Sequence, residues 1–193
     1  MGKKVLVVLG HPDNESFCAA LAHAYAEGAR MSGAEVTSVN ISDLRFDPVL
    51  HKGYKIIQEL EPDLLMMQEK IKGSDHIVFV YPTWWGAMPA LLKGLMERMM
   101  LPGFAYRFHD NGMGWEKYLK GKSARLIVTM NSPALVYRLF FGSVGDKLLK
   151  GAILGFCGVS PVRVTHVDLV ERLSKEKSAK WISKIGSLGR SLR

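Results

Sequence analysis

Short unbroken apolar runs alternate along this chain with longer stretches in which apolar residues recur every three or four positions. Val5 to Leu9 is the first run, and it stops at Gly10. A run of that length with no polar alternation predicts a strand buried on both faces of a parallel sheet. Phe17, Ala20, Leu21, Ala24 and Tyr25 then fall at helical spacing, with Gly33 beyond the end and Asp13 or Asn14 placed to cap the start. Glu35 to Ile41 alternates as a second strand. No period holds from Leu44 to Glu61, which predicts a long surface excursion. Leu64, Leu65, Met67, Gln68 and Ile71 predict a second helix, and Ile77 to Tyr81 a third strand.

Pro89 suits the first turn of the next helix, where a missing N–H costs nothing. Leu92, Leu95, Met96 and Met99 form that helix's apolar face, and Pro102-Gly103 ends it. A loop rich in glycine and aromatics follows, from Phe104 to Trp115. Ala124 to Thr129 predicts a fourth strand, Val144 to Phe156 a helix, and Val162 to Val170 a fifth strand. The last helix is capped by Ser174 and packs through Trp181, Ile182 and Ile185.

Strands alternating with helices imply a parallel sheet covered on both sides. The expectation is one α/β domain over 1–193, a three-layer sandwich whose five parallel strands take the flavodoxin-like order 2-1-3-4-5. Ligands of such sheets sit beyond the carboxyl ends of the strands, at the switch point between the first and third. Those two ends carry "GHPDNES" and "PTWW".

Composition narrows the class. A chain with 48% hydrophobic and 23% charged residues is not disordered. No apolar run approaches the roughly 20 residues of a membrane span, and the N-terminus lacks a secretory signal, so no integral membrane segment is expected and the cytoplasm is. Two cysteines and six histidines form no disulfide or metal framework. The net charge of +8 is scattered. Its densest set, Arg172, Lys175, Lys177, Lys180, Lys184, Arg190 and Arg193, predicts a solvated helix face rather than a nucleic-acid site. The charge still attracts small anions such as nucleotide phosphates.

Local chemistry leaves alternatives. "GHPDNESF" has neither the dinucleotide G-x-G-x-x-G nor a P-loop, yet it ends a strand and opens a helix, where free N–H groups suit a phosphate. The competing reading is an ordinary capped helix with His11 on the surface. Trp84 and Trp85 are either core or the wall of a site for a flat ligand, and their place at the sheet edge favours the ligand. Asn131 and Ser132 can offer hydrogen bonds to the same crevice, with the Tyr137 phenol following. Phe104, Tyr106, Phe108 and Trp115 fit either core or a subunit contact.

Taken together, "LVVLGHPDNESFCAAL", "DHIVFVYPTWWGAMPALLKGLMERMMLPGFAY" and "ILGFCGV" resemble the NAD(P)H:quinone oxidoreductases of flavodoxin-like fold over most of the chain. The resemblance implies tightly bound, non-covalent FMN or FAD, a homodimer, and ping-pong two-electron reduction of quinones or similar small aromatic acceptors by NADPH or NADH. By position it implies that His11, Ser16 and Phe17 hold the flavin phosphate and ribityl chain, that Pro82, Thr83, Trp84 and Trp85 line the ring, and that Thr129, Met130, Asn131 and Ser132 border its far edge. Tyr137 falls where the family places a catalytic tyrosine. The chain departs from the family in having Thr-Met-Asn-Ser in place of Thr-Thr-Gly-Gly, and Ser143 where a histidine stands six residues beyond the tyrosine. A flavodoxin-type electron carrier, or a flavin-binding redox-sensing subunit of a membrane transporter, would share the fold; the carriers, however, are typically acidic.

Overall fold

The apolar runs become the middle of a sheet. The computed structural model describes residues 2–192, so Met1 and Arg193, the last of the basic set, lie outside the described residues. Strands β1 (Lys4–Leu9), β3 (His76–Pro82) and β6 (Ser123–Thr129) are buried almost end to end. The flanking strands β2 (Glu35–Asn40) and β7 (Val162–Val167) are partly exposed, as edges are. Five parallel strands run in the order β2-β1-β3-β6-β7, which is 2-1-3-4-5 within this sheet.

One face of the sheet, with Val5, Val7, Leu9, Val78, Val80 and Ile127, is covered by α1 (Phe17–Met31) and α6 (Lys175–Ser191). The other, with Leu6, Val8, Ile77, Phe79, Leu126 and Val128, lies under α2 (Pro62–Gly73) and α3 (Ala90–Met99). It is completed by Leu149 and Leu154 from a π-helical stretch, Leu148–Gly155, that continues a short helix, Val144–Lys147. Before that stretch stands α4 (Ala134–Phe140), so the Val144–Lys147 turn is α5. Helix α4 was not expected from the sequence.

Two further expectations change. The cap of α1 is Ser16, whose hydroxyl accepts from Ala19 N at 3.3 Å, because Asp13 is spent on Glu15 N inside the preceding turn and Asn14 on Ser42 and Asp43. The loop from Phe104 to Trp115 contains a hairpin, β4 (Tyr106–Phe108) against β5 (Trp115–Lys117). Its aromatics gather on Phe156: Trp115 stacks on that ring at 4.5 Å, and Tyr106 meets it edge-on at 5.0 Å. Phe104 is buried, as is Cys157 beside Phe156, so this load is largely core and only Phe108 is well exposed.

The 44–61 excursion is held by one face of α3. A Cβ on Gly94 would lie 2.6 Å from Pro48 Cβ, so only glycine lets the loop approach. One turn on, the buried Arg98 guanidinium donates to Asp47 O, to Glu59 O at 2.8 Å and to the Glu61 carboxylate at 2.9 Å.

At the amino end of the sheet, His76 is 2% exposed and hydrogen-bonds Tyr25 Oη at 3.0 Å and Ser123 Oγ at 2.8 Å. Burial first, then the charges of Arg125, Lys3 and Arg163, push its pKa down to about 4. The folded protein therefore resists a proton that the unfolded chain accepts near pH 6.5. Stability is full above that pH and falls as the solution is acidified towards about 4, by up to about 3 kcal/mol. Urea unfolding measured from pH 8 to pH 4 should show this slope, and His76→Gln should flatten it.

Candidate functional site

The strand ends continue their ladders past the last paired residues. Gly10 N donates to Val80 O at 2.7 Å, Thr83 N to Thr129 O at 2.7 Å, and Met130 N to Val167 O at 3.0 Å. These bonds fix three loops side by side and leave a cleft of about 240 Å³ above them. Its lining is His11, Ser16, Phe17, Cys18, Pro82, Thr83, Trp84, Thr129, Met130, Asn131, Val170 and Glu171. That volume is slightly below the roughly 300–1,000 Å³ of sites that enclose whole ligands. It suits a molecule held by one face.

One end of the cleft gathers hydrogen-bond donors. The amides of Phe17 and Cys18 precede the first intrahelical donor of α1 and have no acceptor within the helix. His11 Nδ1 accepts from Asp13 N at 2.9 Å, which assigns the ring proton to Nε2 and makes that edge a donor. The His11 ring meets Trp84 edge-on at 5.6 Å, joining this end to the aromatic wall. At the floor, Cys18 Sγ contacts Thr129 Oγ1 at 3.2 Å. Burial raises the Cys18 thiol to about 11, outweighing the Thr129 hydrogen bond, so it remains protonated.

The wall is a tight turn. Trp84 N donates to Ala87 O at 2.8 Å and Ala87 N to Trp84 O at 3.0 Å, so these groups are paired with each other and not free. Trp85 and Gly86 at the tip both have positive φ, 50° and 78°. Glycine accepts that conformation without strain, whereas a bulky side chain costs about 1–2 kcal/mol. Trp85 is nevertheless there, with a relative exposure of 105%.

Of the residues singled out by sequence, the fold brings His11, Ser16, Phe17, Pro82, Thr83, Trp84, Thr129, Met130 and Asn131 into this one cleft. Trp85 and Ser132 do not line it. Asn131 is bound to Glu171, its Nδ2 donating to the carboxylate and its Oδ1 accepting from Glu171 N at 3.3 Å. Tyr137 is buried beneath the turn, donating to Gly86 O at 3.0 Å and accepting from Gly145 N at 2.9 Å. Burial, followed by the Asp146 charge, raises its phenol pKa. Sequence reasoning missed Cys18, Val170 and Glu171. The last two follow β7 at its carboxyl end, and the strand-end rule applied to that strand would have found them.

A family of flavodoxin-like fold matches residues 3–186. Ribosyldihydronicotinamide dehydrogenase [quinone] of Mus musculus is 29% identical over 97% of this chain and 92% of its own length. Among solved structures, Smu.1420 from Streptococcus mutans UA159 superposes with a TM-score of 0.80 at 29% identity, covering 97% of this chain and 99% of that one. An FMN-dependent NADH-azoreductase from Bacillus anthracis str. Ames Ancestor, in complex with FMN, has the same fold, with a TM-score of 0.74 at 18% identity, over 100% of this chain and 99% of its own.

The exposure of Trp85 generates a prediction. Emptying a core aromatic site costs about 3–5 kcal/mol, but Trp85→Gly removes no buried contact, and the strain it relieves is offset by the roughly 0.5–1 kcal/mol that glycine's extra freedom in the unfolded chain costs. The change should move the unfolding free energy of the ligand-free protein by less than about 1 kcal/mol, as measured by urea denaturation.

Proposed function

This chain belongs to the family of flavodoxin-like fold that its residues 3–186 match, and from that premise we propose that it is a flavoprotein oxidoreductase. In this reading it passes a hydride from NADPH or NADH, through tightly and non-covalently bound FMN or FAD, to quinones or similar small aromatic acceptors. The observation that carries the proposal is one continuous cleft with an anion-seeking end at His11, Ser16 and Phe17 and a flat wall at Pro82, Thr83 and Trp84. A molecule with a phosphate at one end and a planar heterocycle at the other fits that sequence of surfaces. The mouse relative, named a ribosyldihydronicotinamide dehydrogenase [quinone], supports a reduced-nicotinamide donor and a quinone acceptor. The FMN-dependent NADH-azoreductase of the same fold supports a flavin and a nicotinamide.

When bound, a flavin supplies two-electron acceptance and release. The chain's residues do the rest. The amides of Phe17 and Cys18, at the positive end of α1, would neutralise a phosphate. The His11 Nε2–H and the Ser16 hydroxyl would orient it. Pro82, Thr83 and Trp84 would support one face of the ring, with Thr129, Met130 and Asn131 towards its far edge. The open side would admit donor and acceptor in turn, which gives ping-pong kinetics. Tyr137 would act on the reacting groups through Gly86, whose carbonyl it holds, as a positioning residue.

Assembly belongs to the same reading. Trp85, Leu139, Phe140, Phe141 and Val144 are all exposed, and a Cβ on Gly86 would lie 4.0 Å from Val144 Cγ1, so the turn and this apolar surface adjoin. A lone subunit rarely leaves such a patch in water. A homodimer would cover it and close the open side of the cleft. The proposed location is the cytoplasm. Among the described residues no helix is long and apolar enough to cross a membrane.

The absorbance spectrum of the purified protein tests the proposal, with mass analysis of what heat releases and turnover of NADPH or NADH with menadione. A yellow, dimeric protein that turns over is expected. A colourless protein that takes up neither FMN nor FAD would overturn the reading, and light scattering that finds a fully active monomer would remove the dimer.

Tyr137→Phe gives a separate expectation. It leaves Gly86 O and Gly145 N without their partner, which should lower stability by about 1–3 kcal/mol. Loosening the turn should slow both half-reactions by about 10–100-fold, less than the loss of a direct charge-stabilising donor. Stopped-flow spectroscopy reads both steps.

A further inference from the structure

Beneath the Trp84–Ala87 turn lies a polar cluster that this reaction scheme leaves unused. His166 Nε2 and Asp146 Oδ2 are 2.8 Å apart, and Asp146 is 6% exposed. Asp146 Oδ1 and the Tyr81 hydroxyl are buried with no hydrogen-bond partner among the described residues. Buried polar atoms are nearly always paired, so two unpaired ones beside an imidazole–carboxylate pair single this cluster out within the interior. The cluster reaches the cleft in two steps. The His166 ring stands edge-on to Tyr137, with centroids 6.1 Å apart and planes at 84°. The Tyr137 hydroxyl accepts from Gly145 N, next to Asp146 in the chain, and donates to Gly86 O in the turn whose Trp84 lines the cleft.

The groups around the pair are Tyr81 from β3, Tyr137 from α4, Lys147 beside Asp146, and Asp168 two positions beyond His166. Burial and then the Asp146 charge raise both phenols, so neither loses its proton near neutrality. The Asp168 carboxylate accepts from Ala134 N at 2.9 Å and is committed to the start of α4. Imidazole is the side chain suited to reversible proton uptake in the physiological range. Within the cluster the His166–Asp146 pair is therefore where charge can change.

We propose that His166, held by Asp146, takes up a proton when negative charge is placed in the cleft and returns it when that charge leaves. The proposal rests on the flavin reading of the cleft. A hydride brings one proton and two electrons, so its transfer from the nicotinamide leaves one negative charge in the cleft and one positive charge on the departing donor. With Nε2–H donated to Asp146, the proton from solvent goes to His166 Nδ1. When the hydride passes to a quinone, His166 releases that proton, and the quinone takes one proton from solvent to complete the hydroquinone. Over the cycle one donor, one quinone and one proton are consumed. Proton uptake at the pair would offset the negative charge placed in the neighbouring cleft.

The test uses flavin-loaded protein and the variants His166→Asn and Asp146→Asn. Reduction is measured against reference dyes from pH 5 to pH 9. Over part of that range the unmodified protein should take up one proton more than His166→Asn per two electrons. That is a further tenfold change in the reduction equilibrium per pH unit, about 30 mV for a two-electron couple. The His166 imidazole resonance, identified by its loss in His166→Asn, should titrate at higher pH in the reduced than in the oxidised protein. In flavin-free protein its midpoint should fall in Asp146→Asn. A merely structural pair would show neither the extra slope nor a midpoint that shifts on reduction, although its midpoint would also fall in Asp146→Asn. If a variant fails to fold, the resonance of the unmodified protein decides. A midpoint unchanged by reduction, or superimposable slopes, would overturn the proposal alone; failure to bind either flavin would overturn it together with the reading of the cleft.

Discussion

Burial of β1, β3 and β6 on both faces is the constraint from which the rest follows. Strands with no face left for water must be apolar throughout, so almost all polar chemistry is displaced to their ends. Helices must cover both sides, and because all five strands are parallel the loops after β1, β3, β6 and β7 come to one edge. The cleft is the gap those loops leave. Its position is set by the sheet, and its character by the few residues that follow each strand.

This explains what could be read from the sequence. A strand buried on both faces is written as a nearly unbroken apolar run; Val5–Leu9 and Ile77–Tyr81 are such runs, and Leu126–Val128 is a shorter one between Arg125 and Thr129. Ser16 was assigned to the site by resemblance, but its role as helix cap depends on Asp13 and Asn14 being engaged elsewhere, partly by Ser42 and Asp43 from a distant turn. The β4–β5 hairpin was illegible because three-residue strands carry too little alternation, and the residue that organises it, Phe156, lies far along the chain. Helix α4 was hidden for a different reason. Leu135, Val136, Leu139 and Phe140 are apolar on its exposed side, which erases the period that marks an amphipathic helix. Arg98 reads as one more charged residue on a helix, and only the fold shows it gathering the carbonyls of a remote loop.

The site couples two kinds of local cost. Trp85 occupies a left-handed turn position that suits glycine, and it holds its indole out in solvent. Tyr137 is committed on both sides, so the turn is braced from below while its tip is strained above. Residues kept in costly conformations on a braced scaffold mark places where something else completes the contact. The apolar surface of α4 and the open side of the cleft lie next to that turn.

Both thiols of the chain are buried, Cys18 under the cleft and Cys157 beside the aromatic hairpin, and burial raises each to about 11. Near neutrality only about one thiol in ten thousand is then ionised. Oxidants attack the thiolate. A peroxide that reaches the chain thus meets two nearly inert sulfurs, one of them at the floor of the cleft. The chain is in this sense chemically armoured against oxidants, and the armour consists of packing alone.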